Sequence, residues 1–453
     1  MQSVQPKYGT GMTVAACLWL GLFPLLQGGT YASITRDKWI IALILTALTL
    51  LCMLADTLRR RRGGGSVFAL PQAGGKAFRL PLITAGLLLL WTVLSCLFSE
   101  NGPDVWWLGE SARREGLLTQ LCYLLLFFCF YCARVRLKPV LLSAAAGVAV
   151  FFVIVMLQRA GGNPLGLYPA GRGYIHGHEF QGTIGNIDMG VGYLLLLSGL
   201  FLYGLLQQLP DRFPGRQPFP ALSTPAGRKK AAFALVCFLA LALSVFLIIT
   251  MDVQFGIISL SVLLLFTVLR FLPKKARLAV FVLLVAVALL AVWFWPDQGP
   301  HGGIWELHEI LHGRTQLSFG SNRLAVWKYS LGLASERLLL GGGSGTFAAR
   351  FNAYIADHGL VIPRQQDGIP LPDYFDNPHN EYIAQLTDHG LPAMLLFIAL
   401  ILLSLFRRRE GLLPLLAPCS AAVLCYAVQA FFSFSVAIVA PMFWVLLGLS
   451  FRE

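Results

Sequence analysis

The stretch "DYFDNPHNEYIAQLTDHGLPAMLLFIALILLSLF" (residues 373–406) decides the class of this chain. Its second half, from Leu391 onward, is an apolar run long enough to form a membrane-spanning helix. A short distance before that half stand His379, Asn380 and Glu381, which can ionise or form hydrogen bonds. The stretch therefore predicts a membrane helix with a chemically capable group at one edge.

Composition places the whole chain in the same class. Of its 453 residues, 57% are hydrophobic and 13% are charged, and the mean hydropathy is +0.69. A soluble domain of this length could not bury so much apolar surface, so we predict an all-α polytopic membrane protein. Apolar runs predict about twelve spans, centred on residues 12–26, 39–55, 81–98, 116–132, 139–157, 186–206, 231–250, 255–272, 278–295, 391–406, 412–431 and 436–451.

Lysine and arginine predict how these spans are oriented. With the N-terminus inside, the inner segments hold the basic clusters at residues 59–65, 133–138, 227–230, 273–277 and 407–409. Both termini are therefore predicted to be cytoplasmic. The net charge of +13 reflects this topology, because short basic loops lie against the anionic inner leaflet, and nucleic-acid binding is not predicted. All eight histidines fall in outer segments or at their edges, which predicts polar chemistry on the outer face.

The longest outer segment, residues 296–390, lies between the ninth and tenth spans and must have structure of its own. A helix is predicted to begin after Ser321 or Asn322 and to end at Gly341, with an apolar stripe formed by Leu324, Trp327, Leu331, Ala334 and Leu338. Arg323 falls in its first turn, where a cation opposes the helix dipole. Arg323 either pairs with a carboxylate or, together with free amide groups, holds an anion such as phosphate.

The same segment contains "HEILH" (308–312), which fits the zinc motif H-E-x-x-H. On a helix, His308 and His312 would share a face and bind zinc, with Glu309 as base and Glu336 as a third ligand. The alternative is an amphipathic helix that rests on the membrane surface. The motif does not continue into the longer forms of zinc proteases, and the helix is short, so the surface helix is the favoured interpretation.

Three motifs resemble the O-antigen ligase and O-antigen polymerase superfamily. They are "GTIGNxxxxxxYL" (182–194), "NRLAVWKYSLGLASERLLLGGGSGTF" (322–347) and "PHNEYIAQLTDHGLPAMLLFIALIL" (378–402). The resemblance covers roughly residues 180–405, and the arrangement of about twelve spans with one large late outer loop extends it to a single membrane domain, residues 1–453.

This resemblance implies a GT-C-like glycosyltransferase in the bacterial cytoplasmic membrane. Such an enzyme transfers a glycan from a polyprenyl diphosphate carrier to an acceptor hydroxyl on the outer face, without a metal or cofactor. Its partners would be the lipid bilayer, the lipid-linked oligosaccharide or polysaccharide, and a glycan or lipid acceptor, and the protein would be a monomer or weak oligomer. His379 matches the family's essential histidine, which implies a base, and Arg323 matches an arginine that contacts the diphosphate. Ligation and polymerisation both remain open.

One turn departs from the family pattern. Many members have Ser-Arg-Gly in a short outer turn, which corresponds here to "TMDVQFG" (the rim turn, residues 250–256) and contains no arginine. The cations that could replace it are Arg172, Arg314 and Arg364. Asn186, Asn380 and Glu381 are further candidates for contact with the substrate, because polar residues at a membrane edge are costly to keep there.

General chemistry supports the same site. Cleavage of a sugar–diphosphate bond builds negative charge on the leaving group, which fixed guanidinium groups stabilise. The attacking hydroxyl must lose a proton, which an imidazole can accept at neutral pH. A transporter is the third alternative, but the predicted spans carry almost no charge at their centres, which disfavours it.

Overall fold

The computed structural model describes residues 9–62, 75–110, 112–208, 223–296, 302–366, 369–372, 374–407, 409–410, 413–414 and 416–452. Within these ranges the helices are α1 (Thr10–Cys17), α2 (Ile34–Arg62), α3 (Gly75–Leu97), α4 (Pro103–Leu108), α5 (Leu117–Cys132), α6 (Leu137–Arg159), α7 (Ile187–Leu206), α8 (Pro225–Thr250), α9 (Gln254–Arg270), α10 (Lys274–Trp293), α11 (Gly303–Leu311), α12 (Arg323–Glu336), α13 (Phe347–Asp357), α14 (Glu381–Leu405), α15 (Pro418–Gln429) and α16 (Ala440–Ser450). The strands form three antiparallel hairpins: β1 (Phe180–Gln181) with β2 (Gly185–Asn186), β3 (Pro363–Gln366) with β4 (Ile369–Pro372), and β5 (Arg409–Glu410) with β6 (Leu413–Pro414).

The helices confirm an all-helical polytopic membrane protein. Among the described residues, 7 helices are long and apolar enough to cross a membrane: Tyr31–Arg62, Arg79–Leu97, Leu137–Arg159, Ile187–Leu206, Pro225–Thr250, Lys274–Trp293 and Glu381–Leu405. The remaining predicted runs contain shorter apolar helices: Thr10–Leu25, Leu117–Cys132, Gln254–Arg270, Pro418–Gln429 and Ala440–Ser450. The number of crossings and the side on which each loop lies stay predictions.

Helix α7 lies at the centre of the bundle and α10 lies at its edge. In the most apolar part of α7, 83% of the residues are buried, against 6% in α10. Helix α7 packs closely on α15, because a Cβ atom at Gly199 would lie 2.7 Å from the backbone of Ala421. Small residues that let helices approach in this way are typical of membrane bundles.

Helix α14 is broken at Gly390. Gly390 has φ 82°, and a Cβ atom there would lie 2.1 Å from the carbonyl oxygen of Leu339, so this position requires glycine. The break exposes carbonyl groups of Thr387 and Asp388, which accept hydrogen bonds from the amides of Gly342 and Gly343 at 3.0 and 2.8 Å. The glycine-rich turn 341–347 thus completes the hydrogen bonding of the broken helix.

The segment between α10 and α14 contains α11, α12, α13 and the β3–β4 hairpin. Its small core is made of Ala325, Val326, Leu333, Phe347, Phe351 and Ile362. The predicted helix α12 is confirmed, although it ends at Glu336 and the predicted stripe is wrong: Leu331 and Leu338 are 52% and 45% exposed. Asn322, at the N-cap position, makes no side-chain cap bond. Helix α12 packs between α13 and α14 and therefore buries a different face.

Candidate functional site

His379 lies in the turn that leads into α14, held by contacts from both sides. Its backbone is left-handed, with φ 49°, and its N–H donates to Oδ1 of Asn377 at 2.9 Å. From α12, the indole N–H of Trp327 donates to the carbonyl of Pro378 at 2.9 Å. Asn380 caps α14 by accepting from the amides of Tyr382 and Ile383 at 3.0 and 3.1 Å. The side chain of Asn380 therefore fixes the helix that carries His379.

The imidazole ring of His379 is half-buried against an aromatic ring. Phe434 meets it edge to face with the ring centroids 5.1 Å apart, and the guanidinium of Arg113 lies over the ring of Phe434, 4.4 Å from its centroid. Nδ1 of His379 is buried and has no hydrogen-bond partner in the described part of the chain. The ring can therefore act through Nε2.

The surroundings keep this imidazole uncharged at neutral pH. The pKa of His379 is lowered to about 4, mainly by burial and also by the positive charges of Arg323 and Arg113, while Asp376 opposes them. Both burial and nearby cations disfavour the protonated ring. The neutral form is the one that can accept a proton.

Arg323 begins α12 and lies near the first turn of α7. One of its terminal nitrogens is 4.0 Å from Oδ2 of Asp188, which is beyond hydrogen-bond distance. Asn186 caps α7 by accepting from the amide of Asp188 at 2.8 Å. No hydrogen bond engages the Arg323 guanidinium within the described ranges. Its predicted pairing with a carboxylate is thus a long ion pair that leaves its N–H donors available.

Arg113 is a second cation at His379, and the sequence analysis missed it. It precedes α5 and forms an ion pair with Asp376, with 2.6 Å between Nη2 and Oδ2 and a further 2.6 Å hydrogen bond from Nε. Asp376 thereby neutralises much of the Arg113 charge. Only a weak sequence signal marks Arg113, which belongs to a basic pair at residues 113–114 just before the predicted span 116–132.

Arg159 brings a cation to the rim turn, which has none of its own. At the end of α6, its Nη1 donates to Oγ1 of Thr250 at 2.7 Å and its Nε donates to Oε1 of Gln181 at 3.0 Å. Its Nη2 is buried without a hydrogen-bond partner in the described part of the protein. Met251 of the rim turn reaches α7, since a Cβ atom at Gly190 would lie 3.7 Å from its sulfur. The beginning of α7 is thus linked to Arg159 on one side and to Arg323 on the other.

A cleft adjoins the His379 turn. Pro378 and Phe434, both neighbours of the histidine, line the cleft. Its other lining residues include five carboxylates, Glu110, Glu115, Asp376, Glu381 and Asp388, and we call it the acidic cleft. Burial raises the pKa values of Glu110 and Glu115.

A chain of hydrogen bonds forms one wall of the acidic cleft. Glu381 accepts from the side-chain amide of Gln385 at 3.0 Å and from the amide of Ser435 at 2.6 Å. Nδ1 of His389 is 2.9 Å from Oε1 of Gln385, and its Nε2 is 2.8 Å from Oγ of Ser344. Because the Gln385 oxygen can only accept, His389 carries its proton on Nδ1. Glu381 is buried, and its two hydrogen bonds hold the start of α14 in place.

The other predicted cations lie in different surroundings. Arg172 is exposed in a loop, and the side chain of Arg364 lies outside the described residues. Arg314 donates to both oxygens of Glu309 at 2.7 and 2.5 Å, and this hydrogen bonding lowers the pKa of Glu309.

The zinc set predicted from "HEILH" is not assembled. Nδ1 of His308 lies 2.9 Å from the carbonyl of Val292, and Nδ1 of His312 lies 2.9 Å from the carbonyl of His308. Glu309 is held by Arg314, and Glu336 lies exposed at the end of α12. No group of three or more His, Cys, Asp or Glu side chains in the described ranges could hold a metal ion. The described residues therefore give no support to the alternative with His308, His312 and Glu336 as ligands, and it stays a prediction.

Comparison with known proteins supports the family assignment. A sequence model of the family described as O-antigen ligase matches residues 238–398, and no curated protein matches the chain. The matched segment contains Arg323 and His379, whereas Arg113 and Arg159 lie outside it. The predicted resemblance to the O-antigen ligase superfamily is confirmed, and residues 238–398 are the part of the chain that the family model matches.

Proposed function

We propose that this chain is a membrane glycosyltransferase that transfers a glycan from a polyprenyl diphosphate carrier to an acceptor hydroxyl. The observation that carries the proposal is a neutral histidine, His379, at the edge of a membrane helix, close to Arg323 and beside the acidic cleft. The O-antigen ligase match supports this class of enzyme. In the proposed orientation, about twelve spans in a GT-C-like arrangement place the site on the outer face of the cytoplasmic membrane.

In the proposed reaction, Nε2 of His379 accepts the proton of the acceptor hydroxyl. The hydroxyl oxygen forms a bond to the anomeric carbon, and the bond from that carbon to the diphosphate oxygen breaks with its electron pair. The diphosphate leaves on the carrier lipid. General base catalysis of this kind contributes about 10²–10⁴-fold to the rate.

Guanidinium groups on the α7 side would stabilise the leaving diphosphate. Arg323 has unengaged N–H donors, and Arg159 has a buried nitrogen without a partner. Such fixed donors stabilise charge that develops in the transition state. Arg159 thus serves as the cation that the rim turn lacks, a role for which Arg172, Arg314 and Arg364 were the predicted candidates. The five carboxylates on the other side of His379 would repel the same diphosphate. Ligation and polymerisation use this chemistry equally and differ in the acceptor.

Transfer by purified protein tests the function directly. We expect the full chain in lipid nanodiscs to move glycan from a polyprenyl diphosphate donor to its acceptor, with unchanged rate after EDTA treatment. Glu309→Gln should be as active as the parent, since Glu309 pairs with Arg314. Loss of transfer in EDTA, or in Glu309→Gln, would contradict a metal-independent transferase and favour a metalloenzyme.

The pH profile tests the role of His379. Because the pKa of His379 is about 4, kcat/KM should stay constant from pH 7 down to about pH 5 and fall as the ring becomes protonated near pH 4. In the complex, the diphosphate charge offsets the arginines, so kcat should fall at a higher pH than kcat/KM. In Arg323→Gln, the pH at which kcat/KM falls should rise toward the ordinary pKa of histidine, about 6.5. If kcat/KM of the parent fell near pH 6.5, and fell at the same pH in Arg323→Gln, His379 would not be the titrating base.

A further inference from the structure

We propose that the acidic cleft is the acceptor site and that it binds a sugar residue that is uncharged or carries an amino group. This inference rests on the proposed function, since it names the second substrate of that reaction. It starts from the position of the cleft, which shares Pro378 and Phe434 with the surroundings of His379. A base must lie within reach of the hydroxyl that it deprotonates.

Charge decides which of the two substrates enters the cleft. The cations that line it are limited to Arg113 and His389 in the described part of the chain. Arg113 is already paired with Asp376 at 2.6 Å, and both ring nitrogens of His389 have hydrogen-bond partners. A diphosphate would meet carboxylates with no free cation to offset them, whereas Arg323, which is not part of the cleft lining, faces α7.

The cleft walls also offer the groups that bind sugars. Phe434 and Phe347 provide apolar ring surface, and Gln120, Gln385 and Asn377 provide amide groups that donate and accept. Asp388 provides a second, independent observation. Its Oδ2 accepts from the amide of Gly345 at 2.9 Å, but its Oδ1 is buried without a donor among the described residues. A hydroxyl group in the cleft would supply the missing donor.

The carboxyls that line the cleft suit both kinds of sugar. Burial raises the pKa values of Glu110 and Glu115, and the charge of Glu381 raises that of Glu115 further. The carboxylates of the cleft can accept hydrogen bonds from the hydroxyl groups of a neutral sugar. An ammonium group would relieve the same crowding of negative charge. A uronic acid would add to it.

Three sugars that differ at one substituent test this site. Glucose, glucosamine and glucuronate can be compared by saturation-transfer NMR on the full chain in nanodiscs, without any donor lipid. We expect glucosamine to bind at least about tenfold more tightly than glucuronate, which corresponds to about 1.4 kcal/mol, with glucose between them. Glu110→Gln should reduce this ratio about threefold or more. Glu100→Gln is the matched control, because Glu100 is 79% exposed and lies outside the cleft lining, and its ratio should equal that of the parent.

Equal binding of glucuronate and glucosamine would overturn the acceptor site, as would an unchanged ratio in Glu110→Gln. The binding assay is independent of catalysis, so its result and that of the transfer assay can be separated. Charge-selective sugar binding by a protein that transfers no glycan would overturn the proposed reaction and support the sugar site. Transfer by a protein that does not discriminate between the sugars would overturn the sugar site alone.

Discussion

Replacing His379 with alanine should reduce glycan transfer by about 10²–10⁴-fold, the contribution of a general base, and abolish it in an assay of ordinary sensitivity. The imidazole is neutral at pH 7, and Nε2 is its nitrogen free to act. Initial rates with the polyprenyl diphosphate donor measure the effect. Donor and acceptor binding should change little, because the expected loss lies in the chemical step.

Two further variants separate a catalytic role from a structural one. His379→Asn retains a polar side chain and suits the left-handed backbone at φ 49°, because asparagine visits that conformation readily. It should fold like the parent and be inactive. His358→Ala is the matched control, since His358 is exposed after α13 and should retain full activity. An active, well-folded His379→Asn protein would end the assignment of His379 as the base.

Arg323 should give the second largest effect. Arg323→Ala removes a guanidinium aimed at the leaving diphosphate, and loss of one such donor costs about 10²–10³-fold in kcat. Arg323→Lys should be nearly as slow, because an ammonium group keeps the charge but lacks the planar fork that binds two phosphate oxygens. The measurement is kcat for each variant at saturating donor.

The lysine variant also distinguishes charge from geometry. Arg323→Lys keeps a cation near His379. The pH at which its kcat/KM falls should therefore stay near that of the parent, in contrast to Arg323→Gln. Lys328→Ala, an exposed change on the same helix, should have no effect on either quantity. If Arg323→Lys transferred glycan as fast as the parent, Arg323 would have no part in binding the diphosphate.

The helices could be predicted from the sequence because each apolar run carries its own signal. A run of this kind must form a helix in the membrane to satisfy its backbone groups, whatever its neighbours are. His379 and Arg323 were found for a similar reason, since each belongs to a local motif. The break in α14 could be anticipated from Gly390 and Pro392, which stand together in the printed sequence.

Features that depend on distant contacts could not be predicted. Arg113 and Asp376 are 263 positions apart, and nothing near Arg159 indicates that it reaches the rim turn 91 positions later. The stripe on α12 failed for another reason. Lipid is as apolar as leucine, so at a membrane edge an apolar side chain can face lipid as well as protein. Leu331 and Leu338 are exposed, although their spacing is that of a buried face.

The broken helix α14 has a consequence for how the protein matures. The carbonyl groups freed at Gly390 are satisfied by the glycine-rich turn, and Trp91 and Ser95 of α3 donate to the carbonyls of Leu339 and Asp388 at 2.8 and 2.7 Å. The glycine-rich turn 341–347 can therefore reach this arrangement only after α3 has packed against α14. We expect a chain in which these two helices have not met to lack the proposed activity.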